Sequence, residues 1–161
     1  MCCRGSKHHQ PKRACVLQVA EQGAAQYGST PHNYVRKVDA STRVVTTITM
    51  SGDSISTPTV LTWAPDYSFM WIGDTYNFFK CELSSGDPST CTKIAGGTNH
   101  LPSKQDGTGT SATFDGIRAI AASSDGNTLY IGDHSNQLLR KVDVSDLESG
   151  AVVRILSNSL P

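Results

Sequence analysis

Asp133, His134, Ser135 and Asn136 stand in a row within "GDHSN". An acid, an imidazole and a hydroxyl so close together suit proton transfer or metal ligation. The same letters suit a tight reversal, because Asp accepts hydrogen bonds from nearby backbone amides and Asn tolerates a left-handed conformation. A second chemical candidate is the pair Cys81 and Cys91 in "CELSSGDPSTC", symmetric about Gly86, so that the two side chains can face each other across a hairpin. A disulfide and two free thiols both remain open there. The other three cysteines, Cys2, Cys3 and Cys15, share the first fifteen residues with His8 and His9. Their spacing fits no zinc-site pattern, and adjacent cysteines serve one tetrahedral ion poorly. Residues 1–15 therefore read as a basic, flexible tail, with acylation of Cys2 and Cys3 the weaker alternative. His32, His100 and His134 fall in expected loops and read as ordinary surface residues. The chain has no phosphate-binding Gly-rich loop, nucleophile elbow or HExxH pattern. No catalytic residue, metal or cofactor is assigned from these patterns.

The elements that must position these residues are bounded by size and composition. At 161 residues the chain has room for one ordinary domain. It is 37% hydrophobic and 17% charged, a polar balance that many short strands joined by turns would produce. Fourteen basic and fourteen acidic residues cancel. Arg4, Lys7, Lys12 and Arg13 lie ahead of the first acid, Glu21, and removing these four leaves 10 basic against 14 acidic residues, a formal charge of −4. A body of that sign is poorly suited to tracking a phosphate backbone, which argues against nucleic acid as a partner. No apolar run reaches the length of a membrane-spanning helix, and the N-terminus lacks the apolar stretch of a secretory signal. A cytoplasmic location is the expectation from the sequence as it starts. An extracellular or cell-surface one follows if Cys81 and Cys91 are bonded and the N-terminus is incomplete.

An internal repeat organises the chain. "TWAPDYSFMWIGDTYN" (62–77) lies over "AASSDGNTLYIGDHSN" (121–136), matching Asp66 to Asp125, Ile72 to Ile131, Gly73 to Gly132, Asp74 to Asp133 and Asn77 to Asn136 at one offset. "QLLRKVD" (137–143) in turn matches "YVRKVD" (34–39), which places a third copy upstream. The equivalents of Asp39 are then expected at Ser84 and Asp143, and the counterparts of Cys81 and Cys91 at Arg36 with Val45 and at Arg140 with Val152. In the last copy the strands are "RAIAAS", "TLYIGD", "LLRKVD" and "AVVRIL", with an Asp125–Gly126 turn of the hairpin kind after the first. The middle copy supplies "TVLTWA", "FMWIGD", "FFKCEL" and "CTKIAG". In the first, "YVRKVD" and "RVVTTI" are clear outer strands, and "CVLQVA" and "AAQYG" faint inner ones. Four antiparallel strands per copy make a propeller blade rather than a helical repeat. The expected fold is all-β: a partial β-propeller of about three four-stranded antiparallel blades. A degenerate blade spans 16–52, a second 53–97, and a third 98–157 with a Gly/Thr-rich entry loop.

The stretch "DGTGTSATFDGIRAIAASSDGNTLYIGDHSNQLLRKVD" (106–143) resembles an NHL repeat, with its Gly-rich approach, Asp-Gly turn, Leu-Tyr-Val-Ala-Asp-like strand, Asn-containing turn and Arg-Lys-Ile-Asp-like strand. The likeness weakens over 57–97, where "KCEL" and "APDYS" depart from the pattern, and again over 16–52. The resemblance implies a noncatalytic binding scaffold for a protein, peptide or glycan, with Thr75, Tyr76 and His134 in a partner-facing loop. Asp66, Gly73, Asp74, Asn77, Asp125, Gly126, Gly132, Asp133 and Asn136 are its turn-forming residues. A metal-dependent lyase or hydrolase is the alternative, and an RNA-binding NHL domain a third reading. Three blades do not close a ring that takes typically four to eight. The chain is thus expected to be a piece of a longer protein, with a homodimer closing a six-bladed ring as the alternative.

Overall fold

The computed structural model describes residues 16–22, 33–39, 41–82, 89–97 and 103–156. The N-terminal tail, the "AAQYG" strand, His32 and His100 lie outside them. Among the described residues, thirteen strands form three separate sheets, and the one helical turn, Gly109–Ser111, is a single 3-10 turn. Among the described residues, no helix is long and apolar enough to cross a membrane.

The first sheet runs β1 (Val16–Gln22), β2 (Asn33–Asp39), β3 (Val45–Ile48), all antiparallel. The second contains β4 (Met50–Gly52), β5 (Val60–Trp63), β6 (Phe69–Gly73), β7 (Asn77–Glu82) and β8 (Ser89–Gly96), in the order β4-β8-β7-β6-β5. The third contains β9 (Gly107–Thr108), β10 (Ile117–Ala122), β11 (Thr128–Asp133), β12 (Leu138–Asp143) and β13 (Val152–Ile155), in the order β9-β13-β12-β11-β10. Two sheets therefore have five strands where four are expected, and the first shows three. The extra strands belong to the links. β4 pairs parallel with β8, and β9 pairs antiparallel with β13, before the chain crosses to the opposite edge and zigzags back. Both are only two or three residues long, too short to carry an alternation visible in sequence. An aspartate fastens each link to the outer strand. Asp53 Oδ2 accepts from the Lys93 amide at 2.7 Å, and Asp106 Oδ2 from the Ile155 amide at 3.0 Å.

Cross-strand pairing corrects the repeat register. Met70 opposes Cys81 and Leu129 opposes Val142, so Cys81 corresponds to Val142 and not to Arg140. The same pairing aligns Lys37, Lys80 and Lys141, then Asp39, Glu82 and Asp143. Ser84 is not the counterpart of Asp39. The physical cause is turn length: four residues (134–137) separate Asp133 from its cross-strand partner Leu138, against two (75–76) between Asp74 and Asn77, with Gln137 at φ 56° completing the longer reversal. The offset that holds through Asp133 is therefore lost within the turn, and Leu138 stands where the second sheet has Asn77. The disulfide partners thus stand where the other sheets have Val38 opposite Val45 and Val142 opposite Val153.

The sheets pack face to face. Between the first and second lie Val35 and Ile48 against Met70, Ile72, Phe79, Cys81 and Cys91. Between the second and third, Trp71 and Phe78 meet Phe114, Ile117, Ile120, Leu129, Ile131, Val142 and Val153. β6 is apolar on both faces because both are covered, which erases the period-two pattern. Gly73 is required at this second interface. A Cβ there would come within 2.7 Å of Ile117 Cγ2 and 3.1 Å of Ile120 Cδ1.

Candidate functional site

Each β-turn after β6 and β11 begins with an aspartate whose carboxylate turns inward. Asp74 Oδ1 accepts from the amides of Tyr76 at 2.8 Å and Asn77 at 2.7 Å, and from Asn77 Nδ2 at 3.3 Å. Asp74 and Asn77 are both buried. The turn closes with the Asp74 amide donating to Asn77 O at 2.9 Å.

Asp133 is used differently. Its Oδ1 accepts from the Asp115 amide at 2.8 Å, and its Oδ2 from Asn136 Nδ2 at 2.9 Å and Arg140 Nη1 at 3.0 Å. Arg140 has no solvent exposure. It also donates to Thr113 O and Gln105 O, pairs with Asp106 at 2.9 Å and lies 5.1 Å from the centroid of the Phe114 ring. One guanidinium thereby ties β12, the β11 turn and the incoming link 103–116 together, the multi-point planar recognition to which Arg is suited. Sequence reasoning missed Arg140, treating it as a disulfide counterpart. An Arg within an otherwise alternating strand, two residues ahead of an apolar core position, was the available signal.

The trio in "GDHSN" is not a relay. Asp133 is buried and engaged by Asp115, Asn136 and Arg140, whereas His134 and Ser135 are exposed. Their backbones are held by the link: His134 N donates to Gly116 O and Ser135 N to Asp115 O, each at 2.9 Å. The neighbouring turn joins the same link, since Gly116 N donates to Thr75 O at 2.7 Å and Thr59 Oγ1 donates to Ile117 O at 2.6 Å. Thr75 Oγ1 lies 3.0 Å from Thr57 Oγ1. Thr75, Tyr76, His134 and Ser135 therefore sit on turns fastened side by side at one end of two adjacent sheets. Gly132, like Gly73, lies at the strand position just before the Asp that opens this turn.

Asp66 and Asp125 occupy the hairpin turns that join the first two long strands of each sheet, and they shape those turns. Asp66 Oδ1 accepts from the Ser68 hydroxyl at 2.7 Å and amide at 3.0 Å. Asp125 Oδ1 accepts from the Ser123 hydroxyl at 2.5 Å and the Asn127 amide at 3.1 Å. In both cases the serine hydroxyl is the main reason the carboxyl lies below the ordinary range. Gly126 has φ +77°, and Tyr67 adopts +62° at the same place, so the Asp-Gly turn and "APDYS" share one conformation despite their letters.

Cys81 and Cys91 form a disulfide between directly opposed residues of β7 and β8, with Cα atoms 4.1 Å apart. Among the described residues, no three His, Cys, Asp or Glu side chains are grouped so as to hold a metal ion.

No protein-family model and no curated protein matches this chain. Among solved structures it is similar in fold to an auxiliary nutrient binding protein from Bacteroides ovatus, with a TM-score of 0.56 and 16% identity over 77% of this chain and 31% of that one. The chain spans under a third of that protein's length, and the likeness is one of fold.

Proposed function

We propose that the chain is a noncatalytic binding scaffold, a run of NHL-like β-propeller blades that presents the turns around Thr75, Tyr76, His134 and Ser135 to a peptide or glycan partner. One observation carries this reading: two turns of successive sheets are fixed to a common link by backbone hydrogen bonds, while both of their aspartates are consumed internally. That arrangement makes a rigid platform on which His134 and Ser135 are exposed and Thr75 and Tyr76 half-buried. It leaves no carboxylate in those turns to work with His134 as an acid–base pair. The likeness to a nutrient binding protein is consistent with a binding role. The Cys81–Cys91 bond suits an oxidising compartment, where small-molecule, glycan or peptide capture is exposed to solvent.

The test is an amide chemical-shift titration of the protein with a panel of oligosaccharides and short peptides. Binding should move Thr75, Tyr76, His134 and Ser135 and leave the opposite turns at Tyr67 and Gly126 in place. Tyr76→Ala should abolish those shifts. Ligands that perturb only the opposite end, or no ligand at all in the panel, contradict the reading.

A further inference from the structure

Among the described residues, every aspartate but one spends its carboxylate on the fold. Asp74 serves its own turn, Asp53 and Asp106 fasten the links, Asp133 meets Arg140, and the rest shape hairpin turns and loops. The exception is Asp115, half-buried, whose carboxylate accepts no hydrogen bond and meets no cation among the described residues. Its backbone is fixed on both sides. Asp115 N donates to Asp133 Oδ1 at 2.8 Å, and Asp115 O accepts from Ser135 N at 2.9 Å. The next residue, Gly116, donates from N to Thr75 O at 2.7 Å and accepts at O from His134 N at 2.9 Å. Gly116 has φ +80°, and a Cβ there would come within 2.9 Å of Ser135 Oγ, so the Ser135 hydroxyl lies against the link. A free carboxylate is thus held at the junction of the second sheet's turn with the third sheet's, inside the stack.

Resting on the reading of these turns as a binding platform, we propose that Asp115 is its ligand-binding carboxylate and that the ligand is a neutral oligosaccharide, two vicinal hydroxyls of one sugar ring donating to the two carboxylate oxygens. A carboxylate only accepts, and hydrogen bonds to a charged acceptor are the strong ones. Because the backbone already holds Asp115 in place, little ordering is left to offset on binding. The surroundings select among donors. A peptide main chain needs free backbone partners, yet the carbonyls of Thr75, Asp115, Gly116 and His134 already accept, and the amides of Tyr76, Asn77, His134 and Ser135 already donate. An ammonium or guanidinium carries several donors and no acceptor, so beside Asp115 it would need further acceptor-only groups. Hydroxyls stand there instead: Ser135 is exposed, and Thr75 Oγ1 lies 3.0 Å from Thr57 Oγ1. Each both donates and accepts, as sugar hydroxyls do.

Amide chemical-shift and calorimetric titrations of the full chain with neutral tetrasaccharides of glucose, mannose and galactose, run beside short peptides, test this. At least one tetrasaccharide should move the amides of Thr75, Asp115 and His134. Asp115→Asn keeps the shape and turns one acceptor into a donor; it should bind that sugar about tenfold more weakly, the loss expected for a hydrogen bond to a charged group. Its urea midpoint should equal that of wild type, because the carboxylate holds nothing in the fold. Deoxy analogues lacking either vicinal hydroxyl should lose affinity for wild type and not for Asp115→Asn. Equal affinity of wild type and Asp115→Asn for a sugar bound at these turns overturns the role of Asp115, as does a lowered urea midpoint in the variant. Peptides that move the turns where no sugar does overturn the ligand class and leave the scaffold reading standing. A panel in which nothing moves either turn removes both.

Discussion

Arg140 donates from Nη1 to Asp133 Oδ2 at 3.0 Å with both side chains out of solvent, and the pair joins a strand, a turn and a link that are distant in sequence. Removing one partner of a buried pair leaves an uncompensated charge and typically costs about 3–5 kcal/mol. Arg140→Met should therefore lower the free energy of unfolding by about that amount in urea titration. The second sheet shows an apolar solution at the same place, Phe79. Replacing Arg140 together with Asp133 and Asp106 by apolar or amide residues should recover part of the loss.

The Cys81–Cys91 bond closes a short loop between directly opposed strands. Chain-entropy reasoning gives it about 2–3 kcal/mol. The Cys81→Val/Cys91→Val variant reproduces the valine pair of the other two sheets and should lose less stability than Cys81→Ala/Cys91→Ala, which also opens a cavity. Thermal unfolding of the two variants checks this. Intact mass before and after reduction should differ by two hydrogens if this is the one bond reduced.

Gly73 and Gly132 have the same place in their sheets and different surroundings. Gly73→Ala forces a methyl into Ile117 and Ile120 and should destabilise by about 1–3 kcal/mol. Gly132→Ala meets only the Ala119 methyl, at 3.2 Å, and should cost less in the isolated chain. Urea midpoints of the two single variants decide it.

The Ser41 hydroxyl, with the Thr42 and Ser41 amides, holds the Asp39 carboxyl at about 2. Because the folded value lies below the ordinary one of 3.8, this turn's contribution is present above about pH 4 and is lost as pH falls toward 2. Asp66, Asp125, Asp143 and Asp146 are shifted the same way. Stability should decline through that window, and Asp39→Asn should flatten part of the decline. A carboxyl NMR titration of Asp39 reads the midpoint directly.

The all-β class, the long strands and the role of Asp74 as acceptor for the amides of its own turn were legible because alternation and Asp–Asn turns act locally; that Asp133 is instead taken up by the Asp115 amide, Asn136 and Arg140 was not. β4 and β9 were not, since two or three residues pairing with a strand about forty positions away leave no periodic trace. The equivalence of Cys81 with Val142 was hidden by the longer turn ending at Gln137, which letters alone place one copy out of step. Arg140 was hidden for a related reason: its partners Gln105, Asp106 and Thr113 come from a link whose Gly- and Thr-rich sequence reads as an irregular loop.

One repeat is stacked three times in a single register, so that Phe78 is covered by the next sheet and Leu139, its equivalent, is exposed. Equilibrium unfolding of Phe78→Ala and Leu139→Ala in urea compares the two positions within one chain. Phe78→Ala should cost about 3–5 kcal/mol and Leu139→Ala should stay within about 0.5 kcal/mol of wild type. Equal losses at the two positions would mean that the sheets do not stack in this register.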